Sequence, residues 1–298
     1  MLTGPSAPFE PGSLWLGVHD ALSARIARDA RVAGLWLSSY GVSASLQANP
    51  DASLVTSSEM LTVARAVCRA AGQMPIIVDC DTGYGDATVF AAVVEAYAAT
   101  SRVAALCLED KVFPKRNTLA ANGLTDLEPS DLFEAKLRAG LRARNATRPS
   151  LRIIARSEAL ALGAGIDETV RRLDRYARMG ADAVLVQSKG PIDEMVAVAT
   201  NWNIEARVPL ICVPTSYPGI PAATWWRYGF DVVVRSHQLL QANIAAQLEL
   251  LNRIASSELA PTSYASRLAD HEVIGRLVAS DLPKLVDVPE KRGDSDVS

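Results

Sequence analysis

Two blocks of this sequence concentrate the side chains best suited to chemistry, Asp79-Cys80-Asp81-Thr82-Gly83-Tyr84-Gly85 and Glu109-Asp110-Lys111-Val112-Phe113-Pro114-Lys115-Arg116-Asn117-Thr118. Each follows directly on an apolar run of strand type, Pro75–Val78 and Val103–Leu108. Their carboxylates therefore emerge at the ends of two buried strands, where parallel α/β proteins assemble active sites. Asp79, Asp81 and Glu109 repel one another at close quarters unless a hard, oxygen-seeking cation stands between them, and magnesium with part of its water shell suits such a trio. Asp79 and Asp81 lie two apart, so on an extended strand both side chains point to one face. Capping of the turn before Gly83 by one of the two is the competing role. The lysine-bearing, proline-stiffened loop after Glu109 supplies the opposite charge, as an anionic substrate requires.

The elements that must position these groups alternate regularly. Strand candidates are Leu14–Val18, Ala33–Leu37, Pro75–Val78, Val103–Leu108, Arg152–Ala155, Ala183–Val186, Val208–Val213 and Asp231–Val234. Helix candidates fall near 20–30, 57–72, 87–99, 128–146, 166–179, 192–202, 221–228 and 236–256, with apolar residues three and four apart, as in Ala64, Val67, Cys68 and Ala71. Eight strands alternating with eight helices predict an α/β fold of the (β/α)8 TIM-type barrel, with extra C-terminal helices from a piece near Ser266–Ala279. A doubly wound open sheet is the competitor, but no G-x-G-x-x-G follows the first strand. The expected organisation is a loose N-terminal leader at 1–12, one barrel domain with its helical extension at 13–283, and a polar tail at 284–298. The stretch from Val112 to about Pro129 is long for a compact domain and reads as a working loop.

Composition narrows the class. The chain has 298 residues, 49% hydrophobic and 21% charged, as a soluble protein with a sizeable core does. A net charge of −3 and a pI near 5.7 argue against a nucleic-acid or membrane-surface partner. No apolar run approaches the roughly 20 residues of a membrane span, and the Pro-containing start lacks the pattern of a signal peptide. The four cysteines show no CxxC spacing and read as buried, reduced thiols. His19, His237 and His271 pair with none of them at zinc-ligand spacing. A cytoplasmic protein is the expectation.

Polar residues follow the strand candidates from the second to the eighth: Ser38-Ser39-Tyr40, Asp79 and Asp81, Glu109 and Lys111, Arg156-Ser157-Glu158, Gln187-Ser188-Lys189, Thr215-Ser216 and Ser236-His237. Any one of these can be polar because strands emerge into water there; jointly they mix charges suited to a common centre. Arg156 can form a two-pronged bond to carboxylate or phosphate-type oxygens, or a structural pair with Glu158. Lys115, after Phe113-Pro114, is either a positioned cation or an ordinary solvated one. Trp36 is either a pocket wall or a lid on the core. His19, followed by Asp20, reads as a hydrogen-bonded structural histidine.

These residues resemble the phosphoenolpyruvate mutase/isocitrate lyase superfamily, specifically its phosphoenolpyruvate mutase branch with the phosphonopyruvate hydrolases. The matching segments include Gly17 to Ala24, Trp36-x-Ser38 with Ser43-Ala44-Ser45, the Asp79 and Glu109 blocks, Ala155-Arg156-Ser157-Glu158-Ala159, Gly180 to Ala183 with Ser188-Lys189, and Val213-Pro214-Thr215. The resemblance spans roughly residues 14 to 255, and the E-D-K-x-F-P-K-x-N block is its most specific part. It implies a magnesium-dependent enzyme interconverting phosphoenolpyruvate and phosphonopyruvate, a small 2-oxo acid or phosphonate as substrate, and a homotetramer with a swapped C-terminal helix. It assigns Asp79, Asp81 and Glu109 to the metal. It also gives Trp36, Ser38 and the amides of Ser39 and Tyr40 to the pyruvate part, and Lys115, Asn117, Thr118 and Arg156 to the phosphoryl group. Asp51 matches an acid of the substrate pocket.

The chain also departs from that branch. Ser39 stands where the mutases carry glycine, Gln187 where they carry a phosphoryl-binding histidine, and Thr118 where serine is usual. The hydrolases carry threonine in place of the loop asparagine, so Asn117 favours the mutase. The lyases carry a loop cysteine as proton donor, which Lys115-Arg116-Asn117-Thr118 lacks. A barrel that binds a metabolite without turning it over is the reading from a different class.

Overall fold

A computed structural model describes residues 9–100, 102–117, 126–202, 207–255 and 265–278. Eight strands pair in parallel and in chain order: β1 Ser13–Val18, β2 Gly34–Leu37, β3 Ile76–Asp79, β4 Val103–Glu109, β5 Arg152–Ser157, β6 Ala183–Val186, β7 Leu210–Cys212 and β8 Val232–Arg235. The last strand returns to the first, with Ser13 opposite Val232 and Leu16 opposite Arg235, so the sheet closes into the expected barrel.

The intervening helices are α1 Ala21–Ala27, α2 Ser39–Gln47, α3 Ser57–Ala70, α4 Ala87–Ala98, α5 Ser130–Thr147, α6 Ile166–Arg178, α7 Ile192–Asn201 and α8 Ala222–Arg227. After β8 come α9 Gln238–Ala255 and α10 His271–Val278, the extra C-terminal helices. The chain divides into two compact units, Met1–Ala246 with the barrel and Gln247–Ser298. The polar tail, 284–298, lies outside the described residues. Of the expected loose leader, Phe9 is buried against Trp15 at the barrel bottom, ring centroids 6.4 Å apart, and the amide of Gly12 donates to the Asp231 carbonyl.

Strand residues alternate between two cores, which explains why the strands read as unbroken apolar runs. Trp15, Trp36, Ile77, Ala105, Cys107, Ile154 and Leu185 fill the barrel. Their neighbours Leu35, Val78, Leu106, Leu108, Ile153 and Val184 face the helices. Each such fully buried side chain contributes about 1.5–3 kcal/mol. All four cysteines are buried and unpaired, as their strand-like surroundings predict.

One element escaped the periodicity argument. Helix α2 is Ser-Tyr-Gly-Val-Ser-Ala-Ser-Leu-Gln, too rich in small polar residues to show an apolar stripe. It forms because Ser38 caps it, accepting from the Gly41 amide at 3.1 Å, and because small side chains let it seat against the barrel mouth. A Cβ on Gly41 would lie 2.8 Å from the Cβ of His19.

Closure itself depends on Gly17 of β1, where a Cβ would sit 1.9 Å from the Ser236 carbonyl oxygen. We expect Gly17→Ala to cost roughly 2–3 kcal/mol by forcing β1 from the β8 end. The check is urea unfolding, where the midpoint falls at an unchanged slope; an unmoved midpoint would show that the two strands can part freely.

Candidate active site

The acids are set by strand register. Asp79 ends β3 opposite Cys107 of β4, and Glu109 ends β4 opposite Arg156 of β5. Asp81 reaches the same region by another route than the one its spacing suggests. The strand stops at Asp79, and Asp81 has φ of +51°, a left-handed conformation, so a turn and not extended alternation brings the two acids together. That turn is pinned by the Glu109 amide on the Asp81 carbonyl at 2.8 Å and the Gly83 amide on the Cys80 carbonyl at 2.9 Å. Holding a non-glycine residue there costs of order 1–3 kcal/mol, met by its surroundings.

Around these acids the buried cations form one lattice. Arg156 is 8% exposed and contacts Glu158 at 2.7 Å, Glu109 at 3.2 Å and Asp79 at 3.7 Å. Lys115 is 2% exposed, with its ammonium 2.6 Å from Asp81 and 2.8 Å from Asp51. Lys111 stands between Glu109 at 3.2 Å and Glu158 at 3.6 Å. Asn117 donates to Asp51 at 3.1 Å, and the Ser39 hydroxyl donates to Asp79 at 3.1 Å. Arg156 therefore makes the structural pair with Glu158 and also lines the cavity. Lys115 is a positioned cation and not a solvated one.

Five carboxylates, Asp51, Asp79, Asp81, Glu109 and Glu158, share three cations in this lattice. If all are ionised, two negative charges are left over. The strain appears in the proton affinities. Burial raises Asp79 despite Arg156 and Lys115. Burial, with Asp51, Asp79 and Glu109 nearby, pushes Asp81 to about 7 against the pull of Lys115. Burial opposes the charge on Lys115 and Arg156, but their acid neighbours outweigh it and hold both well above their ordinary values. Asp51 is held below its usual range because Lys115 and its companions overcome the effect of burial.

Trp36, Ser39, Tyr40, Asp51, Asp79, Lys115, Asn117, Arg156 and Gln187 line one small cavity of about 30 Å³. Asp81 and Glu109 stand behind it, joined to it through Lys115 and Arg156. Ser38 is buried beneath, its hydroxyl committed to the α2 cap. Gln187 points its amide at Glu158, 2.9 and 3.2 Å from the two carboxylate oxygens. Thr118 lies outside the described residues. Lys111, Val213, Ser236 and His237 complete the lining, although no role was assigned to them from the sequence. Three of these follow strands as polar residues, so the signal was available. His237 meets Tyr40 edge-on with ring centroids 5.0 Å apart, and burial lowers its pKa to about 4. Asp110, inside the most specific motif, is structural: it accepts from the Glu158 amide, Ser157, Tyr176 and Arg172 at 2.7 to 3.1 Å.

The donor set suits a hard dication. Both carboxylate oxygens of Glu109, fully buried, lack a hydrogen bond, as does Oδ1 of Asp81 despite its ion pair with Lys115. Among the described residues no three such groups already stand in metal-holding geometry, because the cations lie between them. The surplus of two negative charges is what one magnesium ion would neutralise.

Comparison with known proteins agrees with this geometry. The phosphoenolpyruvate phosphomutase family profile matches residues 11–255. A phosphonopyruvate hydrolase of Variovorax sp. (strain Pal2) is 35% identical over 252 residues, covering 83% of this chain and 84% of that protein. The crystal structure of a phosphoenolpyruvate phosphomutase from Streptomyces platensis subsp. rosaceus superposes with a TM-score of 0.81 at 34% identity, covering 89% of this chain and 90% of that one. A phosphonopyruvate hydrolase complexed with oxalate and magnesium gives a TM-score of 0.79 at 31% identity, covering 89% of each chain. With its closed barrel and its lattice of strand-end acids and cations, the chain belongs to the phosphoenolpyruvate phosphomutase family.

Proposed function

We propose that this protein is a magnesium-dependent phosphoenolpyruvate mutase, moving a phosphoryl group between oxygen and carbon of a pyruvate enolate. The observation that carries the reading is Asn117, whose amide donates to Asp51 beside the Lys115 ammonium. The loop residue that separates mutase from hydrolase in the sequence resemblance thus faces the site. Asp79, Asp81 and Glu109 would hold the metal, which when bound supplies Lewis-acid stabilisation of developing negative charge on oxygen. Trp36 forms the apolar wall under a planar three-carbon unit, and the amides at the start of α2 are donors for its carboxylate. Lys115 and Arg156 are the cations for the moving phosphoryl group, steadying its oxygens while a water-poor pocket keeps it from hydrolysis.

Both cations are now paired with carboxylates, so a phosphoryl group competes for them only after those acids gain another counter-charge. Metal and substrate binding are coupled on this reading. No histidine or cysteine occupies the Lys115-to-Thr118 stretch, so the lyase reading lacks its proton donor. One observation favours hydrolysis as a second reading: Gln187 spends both amide contacts on Glu158, leaving that side of a phosphoryl group with one donor fewer. A homotetramer exchanging its last helix remains part of the proposal. The exposed Leu248, Leu251 and Ile254 of α9, each more than half exposed, support it.

Phosphorus NMR of phosphonopyruvate with protein and magnesium tests the assignment. Phosphoenolpyruvate is the expected product, lost when a chelator removes the metal; inorganic phosphate would establish the hydrolase, and an unchanged spectrum would defeat both. Asp79→Ala is expected to lower turnover about 10³-fold, from roughly 4 kcal/mol of lost charge stabilisation. Undiminished turnover in that variant would remove Asp79 from the metal set. Gln187→His should raise kcat/KM for phosphonopyruvate about tenfold, the equivalent of roughly 1.4 kcal/mol. If rate and substrate preference stay as they were, residue 187 does not touch the phosphoryl group.

A further inference from the structure

A second layer of charge lies behind the ligand-facing groups. Lys136 of α5 occupies a core position between Phe133 and Leu137 and is only 2% exposed. Its ammonium donates to the Thr82 carbonyl at 2.9 Å and contacts the Glu128 carboxylate at 3.0 and 3.1 Å. A leucine would fill such a helix position at far less cost than a buried charge. The lysine therefore needs a reason, and its partners supply one.

Thr82 directly follows Asp81, the left-handed residue of the acid turn. Backbone amides already hold that turn, Glu109 on the Asp81 carbonyl, Gly83 on the Cys80 carbonyl and Cys80 on the Cys107 carbonyl; the Lys136 ammonium adds a bond from a helix outside the two strand ends. Glu128 belongs to the chain returning from the loop after β4. Its amide donates to the Asp110 carbonyl at 2.8 Å, and its own carbonyl accepts from Arg172 at 3.2 Å. Lys111 and Leu127 bridge alongside, so this return is fixed to the strand end that carries Glu109. One ammonium thus ties the turn bearing Asp81 to the backbone that frames Glu109.

We propose that Lys136 is a positioning residue: through the Thr82 carbonyl it holds Asp81 in its left-handed conformation and so fixes the spacing of the site's acids. Its consequence for magnesium rests on the function proposed above; the effect on the turn does not. The decisive variant is Lys136→Met combined with Glu128→Leu, which removes both charges together and leaves neither unpaired. Two readouts are taken, amide hydrogen exchange at Glu109 and magnesium affinity measured by titration calorimetry with oxalate present. The double variant is expected to exchange at Glu109 about tenfold faster than the wild type and to bind magnesium about tenfold more weakly. Glu128→Gln keeps the Thr82 bond and is expected to resemble the wild type in both readouts. A merely structural ion pair predicts the reverse, with the double variant normal and Glu128→Gln, which strands the ammonium, impaired; that pattern overturns the proposal. If the wild type takes up no magnesium while the double variant still exchanges faster, the metal assignment fails and the positioning role stands.

Discussion

The constraint on which this site depends is a surplus of buried negative charge. Five carboxylates meet three cations at the C-terminal mouth of the barrel, with Glu109 and Glu158 fully buried. At an effective dielectric near 20, two like charges 4 Å apart repel by about 4 kcal/mol. Burial adds a penalty for each charge, so such a cluster persists only where every member has a counter-charge or a reason to be left without one. The raised proton affinity of Asp81 and Asp79 expresses that tension. Everything else at the mouth can be understood as managing it. Lys115 and Arg156 lie among the acids, Ser39 and Asn117 donate to them, and the register of β3, β4 and β5 fixes how near they come.

Much of this was legible in the chain because two periods are strict. Strands buried on both faces must read as short apolar runs, and the residue after each run must emerge at the mouth; both rules placed Asp79, Glu109 and Arg156 without any knowledge of the tertiary structure. What escaped notice obeys weaker rules. Helix α2 has no apolar stripe, and its stability comes from a cap and from close seating, which periodicity does not register. Gly83 announced a turn, but Asp81 is not a glycine and nothing at that position announced a left-handed residue, so its spacing from Asp79 also suggested a strand face where the chain had already turned. Lys136 looks like one more charge on a helix, and only the placement of Thr82 and Glu128 shows why it is buried.

The motif E-D-K-x-F-P-K-x-N divides its labour in a way that sequence alone does not reveal. Lys115 lines the cavity, and Glu109 stands behind it against Arg156. Asp110, next to Glu109 in the chain, turns away and gathers four donors, from Ser157, the Glu158 amide, Arg172 and Tyr176. Lys111 turns back to bridge Glu109 and Glu158 and donates to the Arg116 carbonyl. One strand end therefore presents an acid, anchors itself and starts the loop, all within three residues.

Two departures from the mutase pattern stand at the pocket, Ser39 after β2 and Gln187 after β6. Asp79, Asp81 and Glu109 retain the full acid set, whereas Ser39 and Gln187 change the lining of the cavity. A carboxylate can only accept, so the Gln187 amide must turn its hydrogens toward Glu158, which leaves its carbonyl oxygen as the group free to meet a ligand. On the proposed function, that oxygen would repel a fully ionised phosphoryl group where a protonated histidine would attract it. Ser39 acts in the opposite sense. Its hydroxyl touches both Asp79 and Lys115, at 3.1 and 3.4 Å, restoring a polar link in a place where glycine has none. The polarity of the pocket is thus moved from its β6 side to its β2 side while the acids stay in place. On the proposed function, such a change would preserve the means of stabilising an enolate and alter which group attached to that enolate is best held.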